Sequence, residues 1–174
     1  MSRLDSAIRR LQAQRDCLTQ AAALIADIPG PVLELGLGNG RTFDHLRQLL
    51  PAREIFVFDR QVNAHPDCIP DDDHLFLGDF LKSVPAAPAR IGTRAALAHC
   101  DIGSGDKAAT AALAAALSPL LGPLLAPGAV VVSDQPLCLP GAECLPLPDG
   151  VAPGRYQLYR VAAQSGDGQA SSGE

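Results

Sequence analysis

The chain is short of aromatic residues, short of lysine and without paired-cysteine spacing, and each shortage excludes something. Aromatic residues are 4% of the 174, against 47% hydrophobic, so any core is mostly aliphatic. The only lysines are Lys82 and Lys107, the arginines are scattered, and the net charge is −5. Sequence-independent grip on DNA or RNA needs a concentrated basic face, so broad nucleic-acid binding is excluded. Cys17, Cys68, Cys100, Cys138 and Cys144 are odd in number and form no Cys-x-x-Cys. That argues for reduced thiols over a disulfide or zinc framework. No apolar run approaches the roughly 20 residues of a membrane span, and no signal-peptide pattern opens the chain. The expectation is a cytoplasmic protein without a membrane partner. It is read as one domain over residues 1–163, followed by a disordered polar tail at 164–174.

What is present is organised around Gly36-Leu37-Gly38-Asn39-Gly40. Val32, Leu33 and Leu35 before it read as a short buried strand. Arg41 to Leu50 after it carries Phe43, Leu46, Leu49 and Leu50 at helical spacing. Strand, glycine loop and helix begin a nucleotide-binding unit, in which bare N–H groups at a helix N-terminus face an anion. Ahead of the loop, residues 2–26 read as a helix with Leu4, Ile8, Leu11, Leu18, Ala22 and Ile25 on one face. Arg9, Arg10 and Gln14 are placed on the other.

Further strands are expected at Ile55–Phe58, Leu75–Leu77, Arg94–Cys100 and Ala129–Val132, with a helix over 106–121 and a last strand at 156–161. Residues 135–154 hold five prolines with interleaved leucines and read as a covering loop. Strands alternating with helices imply a mostly parallel sheet with helices on both faces, its ligand beyond the carboxyl ends of the strands. Asp59, Asp79, Asp101 and Asp134 follow strands at that edge.

Asp59, 19 residues after Gly40, is placed to accept both hydroxyls of a ribose. That suits NAD and S-adenosylmethionine equally. The glycines run Gly-x-Gly-x-Gly rather than Gly-x-Gly-x-x-Gly. Glu34 suits an ammonium group and would repel a pyrophosphate. Gly78-Asp79-Phe80 offers a carboxylate to an adenine amino group and a ring beside it.

Val32 to Thr42 resembles the first motif of class I S-adenosylmethionine-dependent methyltransferases, and Phe56-Val57-Phe58-Asp59, Gly78-Asp79-Phe80 and Asp101 resemble the later strand-end motifs in the family's order. The resemblance covers roughly residues 30–135. It implies a three-layer Rossmann-like sandwich. It also implies cofactor contacts at Glu34, Gly36, Gly38, Gly40, Asp59, Asp79, Phe80 and Asp101, with Thr42 near the methionine carboxylate. The family's sheet ends in an antiparallel hairpin, of which only residues 156–161 are evident here, so about six strands are expected. The Asn-Pro-Pro-Tyr or Asp-Pro-Pro-Tyr signature of amino-methylating members is absent after the fourth strand.

The function expected is methyl transfer by direct displacement to a small-molecule acceptor. A cofactor-binding sensor or subunit is the alternative, and an NAD-dependent oxidoreductase the third reading. Candidate bases are Asp101 and His99, with a core role preferred for His99, and Cys100 lacks an activating partner. No metal is expected. Asp101 with Asp134 is the lesser alternative, and Asp71-Asp72-Asp73-His74 reads as a solvated turn. The N-terminal helix, the loop after Asp101 and residues 135–154 would close the pocket, helped by a neighbouring copy in a homo-oligomer.

Overall fold

The computed structural model describes residues 2–163, and the tail expected at 164–174 lies outside the described residues. Helix α1 spans Arg3–Leu24 and is followed by β1, Val32–Leu35, and α2, Arg41–Leu49. Then come β2, Ile55–Asp59, β3, Leu75–Leu77, and two short helices, α3, Phe80–Ala86, and α4, Pro88–Ile91. Strand β4, Ala95–Cys100, leads to α5, Lys107–Leu121, and β5, Leu125–Ser133; β6, Glu143–Cys144, and β7, Gln157–Arg160, complete the sheet.

The sheet order is β3-β2-β1-β4-β5-β7-β6. Strands β1 to β5 are parallel, and β7 is antiparallel to both β5 and β6. The sheet therefore has seven strands, not about six, and the terminal hairpin is present. Its missing member, β6, lies within the stretch assigned to a covering loop. Two exposed residues between Pro140 and Pro146 leave no alternation to read.

Successive side chains of a strand face opposite ways, so the sheet divides the core in two. On one face Leu33, Leu35, Phe58 and Val131 pack with Val84 of α3 and Leu117 and Leu121 of α5. On the other, Val32, Val57, Leu97 and Val130 pack with Cys17, Leu18 and Ala21 of α1 and Phe43 and Leu46 of α2.

Helix α1 is opened by a capping box, in which Ser2 accepts from the Asp5 N–H and Asp5 accepts from Ser2. Its buried face is not the expected one. Ala13, Gln14, Cys17, Leu18 and Ala21 are buried, whereas Leu4 is 69% and Ile8 45% exposed. The helix enters β1 through Ile28–Pro31 at the amino ends of the strands, and Gln14 already reaches Asp101 at the carboxyl edge. The residues before Gln14 therefore rise past that edge by up to about 15 Å, at 1.5 Å per residue, and have no sheet to pack on.

Helix α5 also departs from expectation. With the turn after it, Lys107–Leu124, it is long and apolar enough to cross a membrane by length and composition. Alanine supplies much of that character. In the fold the helix is a layer, with Ala114, Leu117 and Leu121 set into the core.

Leu117 is fully buried. Leu117→Ala should cost about 2–5 kcal/mol in denaturant unfolding, whereas Leu4→Ala should stay within about 0.5 kcal/mol of the parent. Equal losses would contradict this assignment of the two residues to core and surface.

Candidate active site

The glycine loop leaves β1 at the centre of the carboxyl edge. Gly36 has φ 100° and donates to the Phe58 carbonyl at 2.9 Å. A Cβ built on it would lie 2.2 Å from the Asp101 carbonyl oxygen, so β1 and β4 converge where only glycine fits. At Gly38 nothing lies within 4 Å of such an atom, and the space faces a cavity.

That cavity holds about 510 Å³ and is lined by Gly36, Gly38, Asp59, Phe80 and Asp101, with the loop Ile102–Ser104 and Thr110 of α5 opposite. A smaller one, about 180 Å³, lies between α1 and the glycine loop, lined by Arg10, Gln14, Arg41 and Thr42. Gly38 and Asp101 line both. A third cavity, about 640 Å³, is larger than either but lies at the amino ends of the strands, against Phe43, Arg53, Ile55 and His74. The strand-end carboxylates are remote from it.

Asp59 turns its carboxylate into the glycine loop. One oxygen accepts from the Leu37 and Gly38 N–H groups at 2.8 and 3.2 Å; the other accepts from Arg60 and Gln61 at 2.6 and 3.3 Å. The about four lone-pair sites of a carboxylate are thus all used. Asp79 is exposed and caps α3 by accepting from Leu81 N–H at 2.8 Å, and Phe80 is buried beneath the larger cavity. Asp101 is half-buried and accepts from the Gln14 side-chain amide at 2.8 Å. Gln14 is the site residue that sequence reasoning missed. Its signal was present: Gln14, Leu18, Ala21 and Ile25 share one helical stripe, with a single polar member.

Glu34 lines neither cavity at this edge. It is fully buried beneath α1 and α2, on the Val32 side of the sheet. One oxygen accepts from the Thr42 hydroxyl and the other meets His99 Nδ1 at 2.7 Å. Glu34 and His99 are direct neighbours in the β1–β4 register, which brings them together. Thus Glu34 is not free to meet an ammonium group, and Thr42 spends its hydroxyl within the protein. Gly40 begins α2 against Cys68 and lines neither cavity.

His99 is a core residue, its ring parallel to Tyr156 at 6.2 Å. Burial opposes its charged form, but the Glu34 carboxylate, with Asp101 and Asp134 behind it, outweighs burial and raises the pKa above the usual 6.5. Burial pushes the Cys100 thiol up as well, which keeps it protonated and unreactive.

Asp134 accepts from Ile102 N–H at 3.1 Å, Gly103 N–H at 2.9 Å and the Gln135 amide at 3.1 Å, so it fastens the loop after β4. No group of three or more metal-ligating side chains occurs among the described residues. Asp71 caps the turn Asp72–His74 by accepting from His74 N–H at 3.1 Å.

A glycine loop before a helix, an acidic end to β2 and a cavity at the carboxyl edge of this sheet define a nucleoside-cofactor domain. The family described as S-adenosyl-L-methionine methyltransferase matches residues 1–161, and the chain belongs to it. The protein is an S-adenosylmethionine-dependent methyltransferase, and neither the sensor nor the NAD reading is favoured.

An S-adenosyl-L-methionine methyl transferase from Silicibacter pomeroyi is 46% identical, with a TM-score of 0.86 over 92% of this chain and 98% of that one. Human methyltransferase-like protein 13, in complex with S-adenosylhomocysteine, shares the fold at 14% identity and a TM-score of 0.55, over 96% of this chain and 84% of that one. The N-methyltransferase NodS from Bradyrhizobium japonicum shares it at 14% and 0.52, over 92% and 98%. No curated protein matches the chain.

The raised His99 pKa fixes a sign. A folded-state pKa above 6.5 gives stability that is complete below 6.5 and lost as pH rises through the folded value. Unfolding free energy should therefore fall on raising pH above about 6.5, and His99→Gln should flatten that fall. His74, raised by Asp71, acts in the same direction and remains in the variant. An unchanged slope in His99→Gln would show that His99 does not hold the extra proton in the folded state.

Proposed function

We propose that the 510 Å³ cavity seats the nucleoside of S-adenosylmethionine and that its methionine end crosses Gly38 and Asp101 into the 180 Å³ cavity. The observation that carries this reading is that those two residues line both spaces. The larger volume falls within the roughly 300–1,000 Å³ of small-molecule sites. Its donors suit the group: loop N–H groups, one carboxylate and one aromatic ring.

The ribose hydroxyls would meet Asp59, replacing its long bonds to Gly38 and Gln61 at 3.2 and 3.3 Å. Adenine would rest by Phe80, with Asp79 at the rim. Because Thr42 is committed to Glu34, the methionine carboxylate falls to Arg10 and Arg41, which line the smaller cavity. Bound, the cofactor supplies an electrophilic methyl group on a sulfonium. The protein's part is to align acceptor, carbon and sulfur. Among the carboxylates, Asp101 is the one that borders both cavities, and it would take a proton where the acceptor carries one. Its bond from Gln14 fixes the direction of its carboxylate.

We take the acceptor to be a small molecule, since α1 and the loop Ile102–Ser104 border the space beyond Asp101. All five cysteines are free, which suits a reducing cytoplasm. Leu4 and Ile8, exposed beside the site, support a homo-oligomer in which a second copy covers them.

Calorimetry with S-adenosylhomocysteine tests the seat. Asp59→Asn should weaken binding roughly tenfold or more, because a hydrogen bond to a charged group is worth about 1.5–3 kcal/mol. An unchanged affinity would remove Asp59 from the site. Sedimentation at micromolar concentration should show a dimer or larger, and a monomer alone would refute the oligomer.

A further inference from the structure

Beside the site, on the flank of α1 away from the glycine loop, lies a cavity of about 390 Å³ that carries the side chains of Arg9, Arg15 and Arg155. One carboxylate, Asp16, borders it and is engaged by Arg15 through Nε at 2.9 Å. The terminal nitrogens of Arg15 make no ion pair among the described residues. Arg9 and Arg155 have no carboxylate partner there.

These arginines differ from the structural ones in this chain. Arg53 donates to the carbonyls of Ile25, Ile28 and Gly30 at 2.7–2.8 Å, and Arg90 to that of Leu75 at 3.0 Å. Arg9 and Arg155 hold no carbonyl among the described residues. Three guanidiniums in one concavity of a chain with net charge −5 repel one another, and an anion between them relieves that repulsion. The planar fork of each suits a carboxylate or phosphate.

The cavity lies across α1 from the two cavities at the strand edge and is tied to them through neighbouring residues of the chain. Ala13 lies on its wall and the next residue, Gln14, holds Asp101; Arg155 lies on its rim and the next residue, Tyr156, is stacked on His99. Consecutive Cα atoms are only about 3.8 Å apart. Arg10 and Arg41, on the opposite flank, provide for the cofactor's own carboxylate, which leaves this set for another ligand.

We propose that this cavity is an anion seat and that it takes the carboxylate or phosphate group of the methyl acceptor, an inference that rests on the methyltransferase function. The acids bordering the site face the cationic cofactor, while the arginines on the far side of α1 hold the acceptor by its charged end.

Inorganic phosphate and acetate, each titrated into the whole protein at low, constant ionic strength, are the probes, read from the arginine Nε–H resonances. The expected result is saturable binding that weakens at least tenfold in the Arg9→Gln/Arg155→Gln double variant and is unchanged in Arg94→Gln. Tighter phosphate assigns a phosphorylated acceptor, and tighter acetate a carboxylate. Arg9 is exposed, so Arg9→Gln alone, expected to weaken binding less, serves should the double variant not fold. Absence of saturation, or equal affinity in parent and variants, overturns the seat. S-adenosylhomocysteine binding measured on the same samples separates the two readings. Its loss in the parent protein with anion binding intact sinks the cofactor reading alone, and the converse sinks the seat alone.

Discussion

A backbone carbonyl occupies the place where any residue but glycine at position 36 would carry its Cβ. The Asp101 oxygen lies 2.2 Å from that point, and the strands on either side are locked to it. Asp101 donates its N–H to the Leu35 carbonyl, Gly36 to Phe58, and Asp134 to Cys100, at 2.9, 2.9 and 3.0 Å. Four strand ends are thereby brought level, and the side chains that follow them are held at one edge. With a larger residue at 36, β1 and β4 would separate and the row of carboxylates would lose its alignment. The cavity is a consequence of this approach, since the loop must rise from β1 before α2 can begin.

The same register places Glu34 beside His99 in the dry layer under α1. Removing two charges from water costs several kcal/mol each, and their attraction offsets that only with good geometry and further hydrogen bonds. Thr42 supplies one to Glu34, whereas His99 Nε2 and the Tyr156 hydroxyl are both buried with no partner among the described residues. The group is therefore a weak source of stability. Its effect is positional: Glu34 ties the first turn of α2 to the centre of the sheet, so the loop between them has both ends fixed.

The succession of strands and helices along the chain, the two-faced core and the row of aspartates were legible, because a buried parallel strand is a short apolar run and its carboxyl end carries the first polar residue. Four things were not. Strand β6 has two exposed residues and exists only because β7 offers it an edge. The buried face of α1 was misread because Leu4 and Ile8 fit a helical stripe, although the sheet ends before they reach it. Glu34 was read as a ligand residue from its distance to Gly36. Strand alternation carried contrary information, since Glu34 shares a face with Val32 and hence with the helices. Gln14 was missed for the complementary reason: a polar residue in a buried stripe was assigned to solvent, when burial of a polar group signals a partner.

These corrections change what the N-terminal helix does. One residue of α1, Gln14, fixes Asp101; about one turn before it, Arg10 and Arg9 line two separate cavities, Arg10 one and Arg9 the other. The helix thus divides the space above the sheet into a glycine-loop side and an outer side with the same wall. An acceptor anchored on the outer flank, as proposed, would have to extend past α1 to reach a methyl group held on the inner one. Its reach is then limited to about the thickness of one helix, about 10–12 Å with side chains. Selectivity in such an arrangement would come less from the chemistry of the methylated atom than from its distance to the charged end, which is a property of the wall and not of the glycine loop.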